Sequence, residues 1–169
     1  MPELRLSFSV AGTPLLDRRI NRLALNLHDF TEPLRETGEV IYDNIRAQFA
    51  AQGKPKWAAL SARYAARKAK KYPGKTILRA TDRLMQSLTE RTAPGAIYEL
   101  TPTHVRIGTD VQTPDSRWNL GLIHQLGAPN ANIPARPMIR LTMGSRTRIV
   151  VVFRQWLERK AAAADLALS

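Results

Sequence analysis

The chain has 169 residues, with 26 Lys and Arg against 14 Asp and Glu, a formal net charge of +12 and no cysteine. This length fits a single domain with one hydrophobic core, residues 1–169. The lack of cysteine excludes disulfides, thiolate metal sites and thiol redox chemistry, and no apolar run approaches the about 18 residues of a membrane span, so we expect no membrane partner.

The first predicted element is a strand in an N-terminal arm, residues 1–14. Its apolar residues alternate with polar ones, as in a half-buried strand: Leu4, Leu6, Phe8 and Val10. Two amphipathic helices, or one kinked helix, are predicted next, on either side of a break at Thr31 and Pro33. Their apolar stripes are Leu16, Ile20, Leu23 and Leu27, then Leu34, Ile41, Ile45 and Phe49. Gly53 and Pro55 are expected to end the second helix.

The excess positive charge lies in residues 54–83, which hold ten Lys or Arg against Asp82 alone, a local balance of +9 that leaves +3 for the rest of the chain. A short basic helix is predicted at 61–71, with Ser61 as its N-cap. Six residues form the predicted basic patch: Arg63, Arg67, Lys68, Lys70, Lys71 and Lys75. Such a patch can contact an acidic protein surface, the phosphates of DNA, or only solvent.

Further along the chain, a helix is predicted at 77–88, followed by a hairpin of two strands at 96–101 and 104–108. The polar residues after the hairpin predict an inserted loop, 109–122. This part of the chain is expected to form the small sheet of the domain.

The segment from Ile123 to Ile139 predicts a stiff corner rather than a helix or a strand. It contains three prolines and Gly127, which punctuate the backbone every few residues. Arg136 lies between two of these prolines, and a guanidinium on so stiff a backbone loses little entropy when it pairs with a carboxylate or with carbonyls. We therefore expect Arg136 to act as a docking or structural clamp.

The last predicted element is a helix at 146–164, with Ser145 as its N-cap. Its expected apolar face is Ile149, Val152, Phe153, Trp156 and Leu157. Together the elements predict an α+β fold, in which amphipathic helices pack on a small, mostly antiparallel sheet, with an extended loop or arm and a helical C-terminus.

The titratable residues do not form a recognisable catalytic set. His124 is the best single candidate, but one histidine among apolar residues is more often structural. The pairs Glu36/Glu39 and Asp110/Asp115 could be metal ligands of a nuclease, yet neither has a partnering histidine and solvated carboxylates explain both. We expect no enzyme activity, no catalytic residue, no metal and no cofactor.

The three tryptophans receive different predictions. Trp156 belongs to a helical stripe and is expected in the core. Trp57 either packs against its own helices, which we favour, or stacks on a nucleic-acid base. Trp118 lies in a polar segment and is the aromatic residue expected to contact a neighbouring subunit.

Four blocks of residues stand out in chain order. They are Trp57-x-x-Leu60-Ser61, Ile77-Leu78-x-x-Thr81-x-x-Leu84, Ile107-Gly108-Thr109 and the corner that begins Ile123-His124-Gln125. In this order they resemble the phage virion morphogenesis family, the tail-completion proteins of Mu-like contractile-tailed phages, over about Phe49 to Ile139. Two features depart from the family: Asp82 stands where the family usually has Gly, and the link from Val111 to Leu122 looks longer than usual.

The resemblance implies a structural protein of the phage tail or neck, which completes the tail and enables head–tail joining through protein–protein contacts. It implies a homo-oligomeric ring, expected to be a hexamer, with Trp118, His124 and Arg136 at subunit or partner contacts. The implied neighbours are the tail terminator or tail tube and the head connector, with packaged DNA passing through the channel. The protein is then a virion component that is assembled in the cytoplasm of the bacterial host.

Two other classes of function stay open. The first is a sequence-independent DNA-binding protein that uses the basic segment 54–83, although no helix-turn-helix or zinc signature accompanies the charge. The second is a nuclease or peptidoglycan-cleaving enzyme of the tail, for which the sequence supplies no catalytic set.

Overall fold

The computed structural model describes residues 14–164. Six α-helices, one short 3-10 helix and two strands follow one another in this part of the chain: α1 (Pro14–Asn26), α2 (Thr31–Ala51), α3 (Ala62–Lys71), α4 (Arg83–Thr89), β1 (Ala96–Leu100), β2 (Val105–Thr109), α5 (Leu120–Leu126), the 3-10 helix (Pro129–Ala131) and α6 (Met143–Ala163). The α+β prediction is confirmed. The predicted strand at Leu4 to Val10 lies outside the described residues.

Helix α2 forms the centre of the fold, because it packs against α6 on one side and against α4 and both strands on the other. Its buried residues Ile45 and Phe49 meet Trp57, Leu84 and Leu88 in the main hydrophobic cluster. The ring of Phe49 meets that of Trp57 edge-on, with centroids 5.4 Å apart. This cluster fixes the positions of the segments that follow α2.

The predicted hairpin is confirmed with nearly the predicted ends. Strands β1 and β2 pair antiparallel, with Ala96 opposite Thr109 and Leu100 opposite Val105, and they form a two-stranded sheet. Backbone bonding between Thr101 N and His104 O, at 2.9 Å, closes the turn.

An aromatic contact joins α6 to the residue that precedes α2. Trp156 of α6 is fully buried, as predicted, and its ring lies 5.1 Å from that of Phe30. The predicted apolar face of α6 is only partly right, because Leu157 is 44% exposed. Likewise Ile20, expected on the apolar stripe of α1, is 49% exposed.

The predicted N-cap of the last helix is wrong by one turn. Thr142 caps α6, since its hydroxyl accepts a bond from Ser145 N at 3.1 Å. The hydroxyl of Ser145 instead accepts a bond from the buried amide of Asn44, 2.8 Å away on α2. The helix therefore begins one turn earlier than its sequence indicated, and Asn44 contacts the hydroxyls of both Thr142 and Ser145 there.

The helix predicted at 77–88 is also shorter than expected. Leu78 and Asp82 have φ angles of 62° and 59°, so the backbone turns twice before α4 begins at Arg83. The apolar residues Ile77 and Leu78 still pack on the core, but from a turn rather than from a helix. Periodicity alone does not separate these two ways of burying the same side chains.

The start of the proline corner is helical, which corrects the prediction of an irregular segment. Helix α5 includes Ile123 to Leu126, and Asn119 caps it by accepting a bond from Leu122 N at 2.9 Å. Within the part of the chain that the structure describes, no helix is long and apolar enough to cross a membrane.

Candidate functional site

A groove of about 860 Å³ lies between α3, the turn before α4 and the segment 111–136. Most of the side chains that line it are apolar. Among them are Leu60, Tyr64, Leu78, Leu84, Leu120 and Ile133. A concave, mainly apolar cavity of this size is in the range of binding sites for other molecules.

The groove brings together blocks that lie far apart in the sequence. Leu60 and Ser61 come from the first block, Leu78 and Thr81 from the second, and His124 from the fourth. These are the blocks by which the sequence resembled a known family. We therefore take the groove and its borders as the candidate functional site.

Trp57, the remaining anchor of the first block, lies beneath the groove and is 7% exposed. Its indole nitrogen donates to the carbonyl of Pro137 at 2.9 Å and so ties the corner to the core. The prediction that Trp57 packs inside its own chain is confirmed, and base stacking by this residue is excluded by its burial.

Arg136 forms the other tie between the corner and the rest of the fold. It is 4% exposed, and its guanidinium donates to the carbonyls of Ala58 at 2.8 Å and Ala59 at 3.1 Å. Burial away from water lowers the pKa of this guanidinium from its usual value. The clamp is thus made to carbonyls of its own chain, while a contact of Arg136 with another subunit stays a prediction.

Gln125 also holds the corner, a role that the sequence analysis missed. Its carbonyl oxygen accepts bonds from Met138 N at 2.9 Å and Ile139 N at 3.1 Å, and its amide nitrogen donates to Ile139 O at 3.0 Å. The side chain of Gln125 therefore satisfies the backbone groups of Met138 and Ile139, as a neighbouring strand would do in a sheet. An amide beside a proline-rich segment, whose backbone has few donors of its own, was the available signal.

His124 faces the groove from α5 and is partly buried, and its Nδ1 atom has no hydrogen-bond partner. Burial away from water and, next, the positive charge of Arg136 lower the pKa of His124 from 6.5 to about 4. The imidazole is therefore neutral at pH 7. This environment fits a structural residue at the wall of the groove, and a subunit contact at His124 stays a prediction.

We expect the protein to lose stability when the pH falls from 6.5 to about 4. In this window the unfolded chain binds a proton at His124 and the folded chain does not, because the pKa falls from 6.5 to about 4 on folding. The loss of stability is absent well above pH 6.5, grows as the pH falls, and reaches about 2 kcal/mol by pH 4 for a partly buried group. Urea melts from pH 7.5 to 4.5 would measure it.

The matched variant for this test is His124→Gln, which has no titratable group at the position. Its stability should change much less over the same pH range. The carboxylates whose pKa is lowered, those of Asp29, Asp82 and Asp115, start from 3.8 and so act below this window. Equal pH slopes for the two proteins would contradict the assignment to His124.

The basic patch is less uniform than its sequence indicated. Lys68 is 7% exposed and turns inward, where its ammonium donates to the carbonyls of Lys75, at 2.7 Å, and Thr76. Lys75 pairs with the carboxylate of Asp82 at 2.5 Å. Neither lysine is thus a free surface cation, which corrects the expectation that Lys68 faces a partner.

The remaining cations of α3 lie on two sides of the helix. Arg63, Arg67 and Lys71, at four-residue spacing, form a stripe that borders the helix row lining the groove, and we call it the basic stripe. Lys70 lies about 200° around the helix from Lys68, away from the groove. In the described part of the chain, none of these four cations is ion-paired, so the basic stripe is available to an acidic group.

Asp82 explains one departure from the resembled family. Its φ of 59° is left-handed, a conformation that Gly adopts freely and Asp tolerates. Its carboxylate pairs with Arg79 at 2.8 Å and with Lys75, and hydrogen bonds from these two side chains lower its pKa from the usual value. The turn geometry expected for glycine is therefore kept, with a carboxylate added to hold it.

The predicted inserted loop is held shut by backbone bonds. Thr113 N donates to Trp118 O, and Leu120 N donates to Val111 O, both at 2.8 Å. Trp118 follows at the end of this loop and is 65% exposed. The loop thus presents the indole at a fixed place beside α5.

Helix α5 has one face that lines the groove and an opposite face that is exposed. Leu120 and His124 line the groove, whereas Leu122 and Leu126 are 59% and 67% exposed. Two residues along a helix correspond to about 200°, so these pairs point in opposite directions. We call Trp118, Leu122 and Leu126 the apolar ridge. Sequence reasoning found Trp118 but missed the two leucines, although their four-residue spacing was visible.

Gly127 ends α5 and lets the corner fold back on it. Its φ is 82°, and an added Cβ would lie 2.8 Å from Ala135 N. Gly127→Ala should therefore destabilise the protein by about 2 kcal/mol, since it combines a strained backbone with a clash against backbone atoms. Thermal unfolding followed by circular dichroism measures this difference.

Gly74→Ala is the matched control. Gly74 has a similar φ of 72°, but nothing lies within 4 Å of the place of its Cβ. The Gly74→Ala variant should lose about 1 kcal/mol of stability, since it has the strained backbone but no clash. Equal losses for the two variants would show that contact with Ala135 adds nothing.

Comparison with known proteins gives one finding. The model of a family described as the phage virion morphogenesis family matches residues 13–158. No curated protein and no solved structure matches this chain. In residues 14–164, no group of three or more His, Asp or Glu side chains is placed to hold a metal ion.

Proposed function

This chain belongs to the phage virion morphogenesis family, and from that premise we propose that it completes the phage tail and enables head–tail joining by forming a ring through protein–protein contacts. Membership of the family itself indicates a role in the structure or assembly of a virion, and suggests a structural rather than an enzymatic protein. The match over residues 13–158 is the observation that carries the proposal, because it includes the groove and its borders.

The surface supports a protein that works through contacts with other proteins. Several large apolar side chains are exposed together on the apolar ridge and along α6. The exposed residues of α6 include Met143, Val150, Val151 and Leu157. Contiguous exposed apolar residues on an otherwise charged protein typically mark surfaces that a partner covers.

The DNA-binding alternative gains no support from the geometry. One lysine of the basic patch is buried, and a second is paired with Asp82. Trp57, the aromatic residue considered for stacking on a base, is in the core. A groove that tracks single-stranded DNA usually combines cations with several exposed aromatic rings.

The proposed ring is a homo-oligomer, which we place at six subunits by analogy with the sixfold symmetry of contractile tails. Its proposed neighbours are the tail terminator or tail tube on one side and the head connector on the other, with packaged DNA passing through the channel. The protein is then a neck or tail component of the virion.

The experiment that tests the function is electron microscopy of particles made when this gene alone is deleted from its phage or prophage. We expect filled heads separate from unjoined or aberrant tails, and rescue by the gene supplied on a plasmid. Normal joined particles after the deletion would overturn the proposal.

A further inference from the structure

The geometry points to one specific contact between copies of this chain, in which the apolar ridge of one subunit enters the groove of the next. This inference rests on the proposed ring and names the surfaces that build it. It commits the groove to one occupant, a second copy of the chain.

The placement of the two surfaces favours a head-to-tail contact. Leu122 and Leu126 of the ridge and Leu120 and His124 of the groove lie on opposite faces of the same short helix, α5. One subunit can therefore insert its ridge into a neighbour while its own groove receives the ridge of another. Contacts between two different patches close into a ring when the rotation between neighbouring subunits allows it and otherwise make a filament, whereas a two-fold dimer joins a patch to itself.

The chemistry of the two surfaces matches. The ridge offers an indole that is 65% exposed and two leucines, and the groove offers about 860 Å³ lined mostly by apolar side chains. Backbone bonds of the loop hold the main chain at Trp118 before binding, so the loss of backbone entropy on docking is reduced. Aromatic residues that enter a neighbour's pocket are typical hot spots of protein interfaces.

Charge sets the direction of insertion. The loop that ends at Trp118 carries two exposed carboxylates: that of Asp115 lies 3.8 Å from the guanidinium of Arg117, and that of Asp110 has no cationic partner within residues 14–164. The groove is bordered by the basic stripe, whose three cations have no ion-pair partner within residues 14–164. A ridge that enters the groove brings an acidic loop toward a basic border, and such complementarity steers docking and fixes its register.

The test uses two variants, a triple one that disables the apolar ridge and a double one that disables the groove. The ridge variant is Trp118→Ser with Leu122→Ser and Leu126→Ser, and the groove variant is Ala59→Lys with Thr81→Lys. All five side chains are exposed, so the folded monomer should melt as the wild type does. The matched comparison replaces three exposed apolar residues of α6, a surface that this contact leaves free for a different partner: Met143→Ser with Val150→Ser and Leu157→Ser.

Sedimentation velocity and light scattering of the purified full chain, from low to high concentration, give the readout. We expect the wild type and the α6 variant to associate alike, and each disabled variant to bind itself at least about tenfold more weakly. An equal mixture of the ridge and groove variants should form a dimer and nothing larger, since it contains one intact ridge facing one intact groove.

Several results would overturn the contact. These are a wild type that stays monomeric at every concentration, a mixture that stays monomeric, and loss of association only in the α6 variant. Self-association of both disabled variants at wild-type strength would also overturn the contact. If these variants then failed in head–tail joining, the two surfaces would be assigned to another protein of the particle.

Cross-linking gives an independent check, because the chain has no cysteine of its own. The double variant Leu126→Cys with Ala59→Cys, treated with a bifunctional maleimide, should give a ladder of oligomers that ends at the ring. Each single-cysteine variant should give no cross-linked dimer, since the contact never brings a residue near its own copy. Dimers from the single variants would instead establish a two-fold contact and overturn the inference.

The two proposals can fail separately. Joined particles after gene deletion would remove the tail function while the ladder still established the contact. Unjoined particles together with absence of the ladder would keep the tail function and remove this contact.

Discussion

Replacing Trp57 by alanine is expected to destabilise the protein by about 3–5 kcal/mol, the range for truncating a fully packed aromatic residue. Trp57 is 7% exposed, meets Phe49 edge-on and donates to Pro137 O at 2.9 Å. The variant therefore loses core packing and the tie that holds the proline corner over the groove. Equilibrium unfolding in urea measures the change.

Trp118→Ala is the matched control, because it deletes the same indole from a site that is 65% exposed. Its free energy of unfolding should stay within about 0.5 kcal/mol of the wild type. Trp57→Phe separates the two contributions, since it keeps most of the packing but removes the bond to Pro137, and should lose about 1–2 kcal/mol. A Trp57→Ala protein as stable as Trp118→Ala would contradict the packing described here.

Replacing Arg136 by alanine is the second change with a large expected effect, about 2–4 kcal/mol of lost stability. Arg136 is 4% exposed and its guanidinium donates to the carbonyls of Ala58 and Ala59, so its removal loses both bonds and leaves a gap where the side chain was buried. Arg136→Lys should recover less than half of the loss, because one ammonium cannot reproduce the two directed bonds of the guanidinium.

Arg140→Ala controls for the loss of one positive charge in the same segment, since Arg140 is exposed. It should leave the urea midpoint nearly unchanged. If Arg136→Ala unfolds like Arg140→Ala, the clamp contributes nothing to the fold and Arg136 is better explained by a contact outside the chain. Hydrogen exchange of the amides around Ala58 would show which segment loosens in Arg136→Ala.

The sequence was most informative where one local rule decided the structure. Two strand-like runs on either side of Pro102 and Thr103 identified the hairpin, Ser61 was recognised as the cap of α3 and accepts a bond from Tyr64 N, and Trp156 was buried as expected. Each of these depends on neighbours within a few residues along the chain.

The errors arose where a residue outside the helix itself changed a local preference. Asn44, far away in the sequence, bonds the hydroxyl of Ser145, whereas Thr142 caps α6 one turn earlier. Lys68 donates to a carbonyl of the turn after α3 and is buried, although the many cations around it in the sequence predicted a charged surface. No pattern along the chain contains these pairings, because they form only when separate elements pack.

By itself, then, the sequence determined the class of fold, the basic segment and the proline-rich part of the corner, because these follow from composition, periodicity and the fixed φ of proline. The family was indicated separately, by the resemblance of four residue blocks in their order. The tertiary structure alone decided that three of the four blocks meet around one groove and that α5 presents Leu120 and Leu122 to opposite sides. The physical reason is that burial depends on how elements pack together. Which face of the seven-residue helix α5 is buried depends on the residues around it, and these come from separate segments between Leu60 and Ile133.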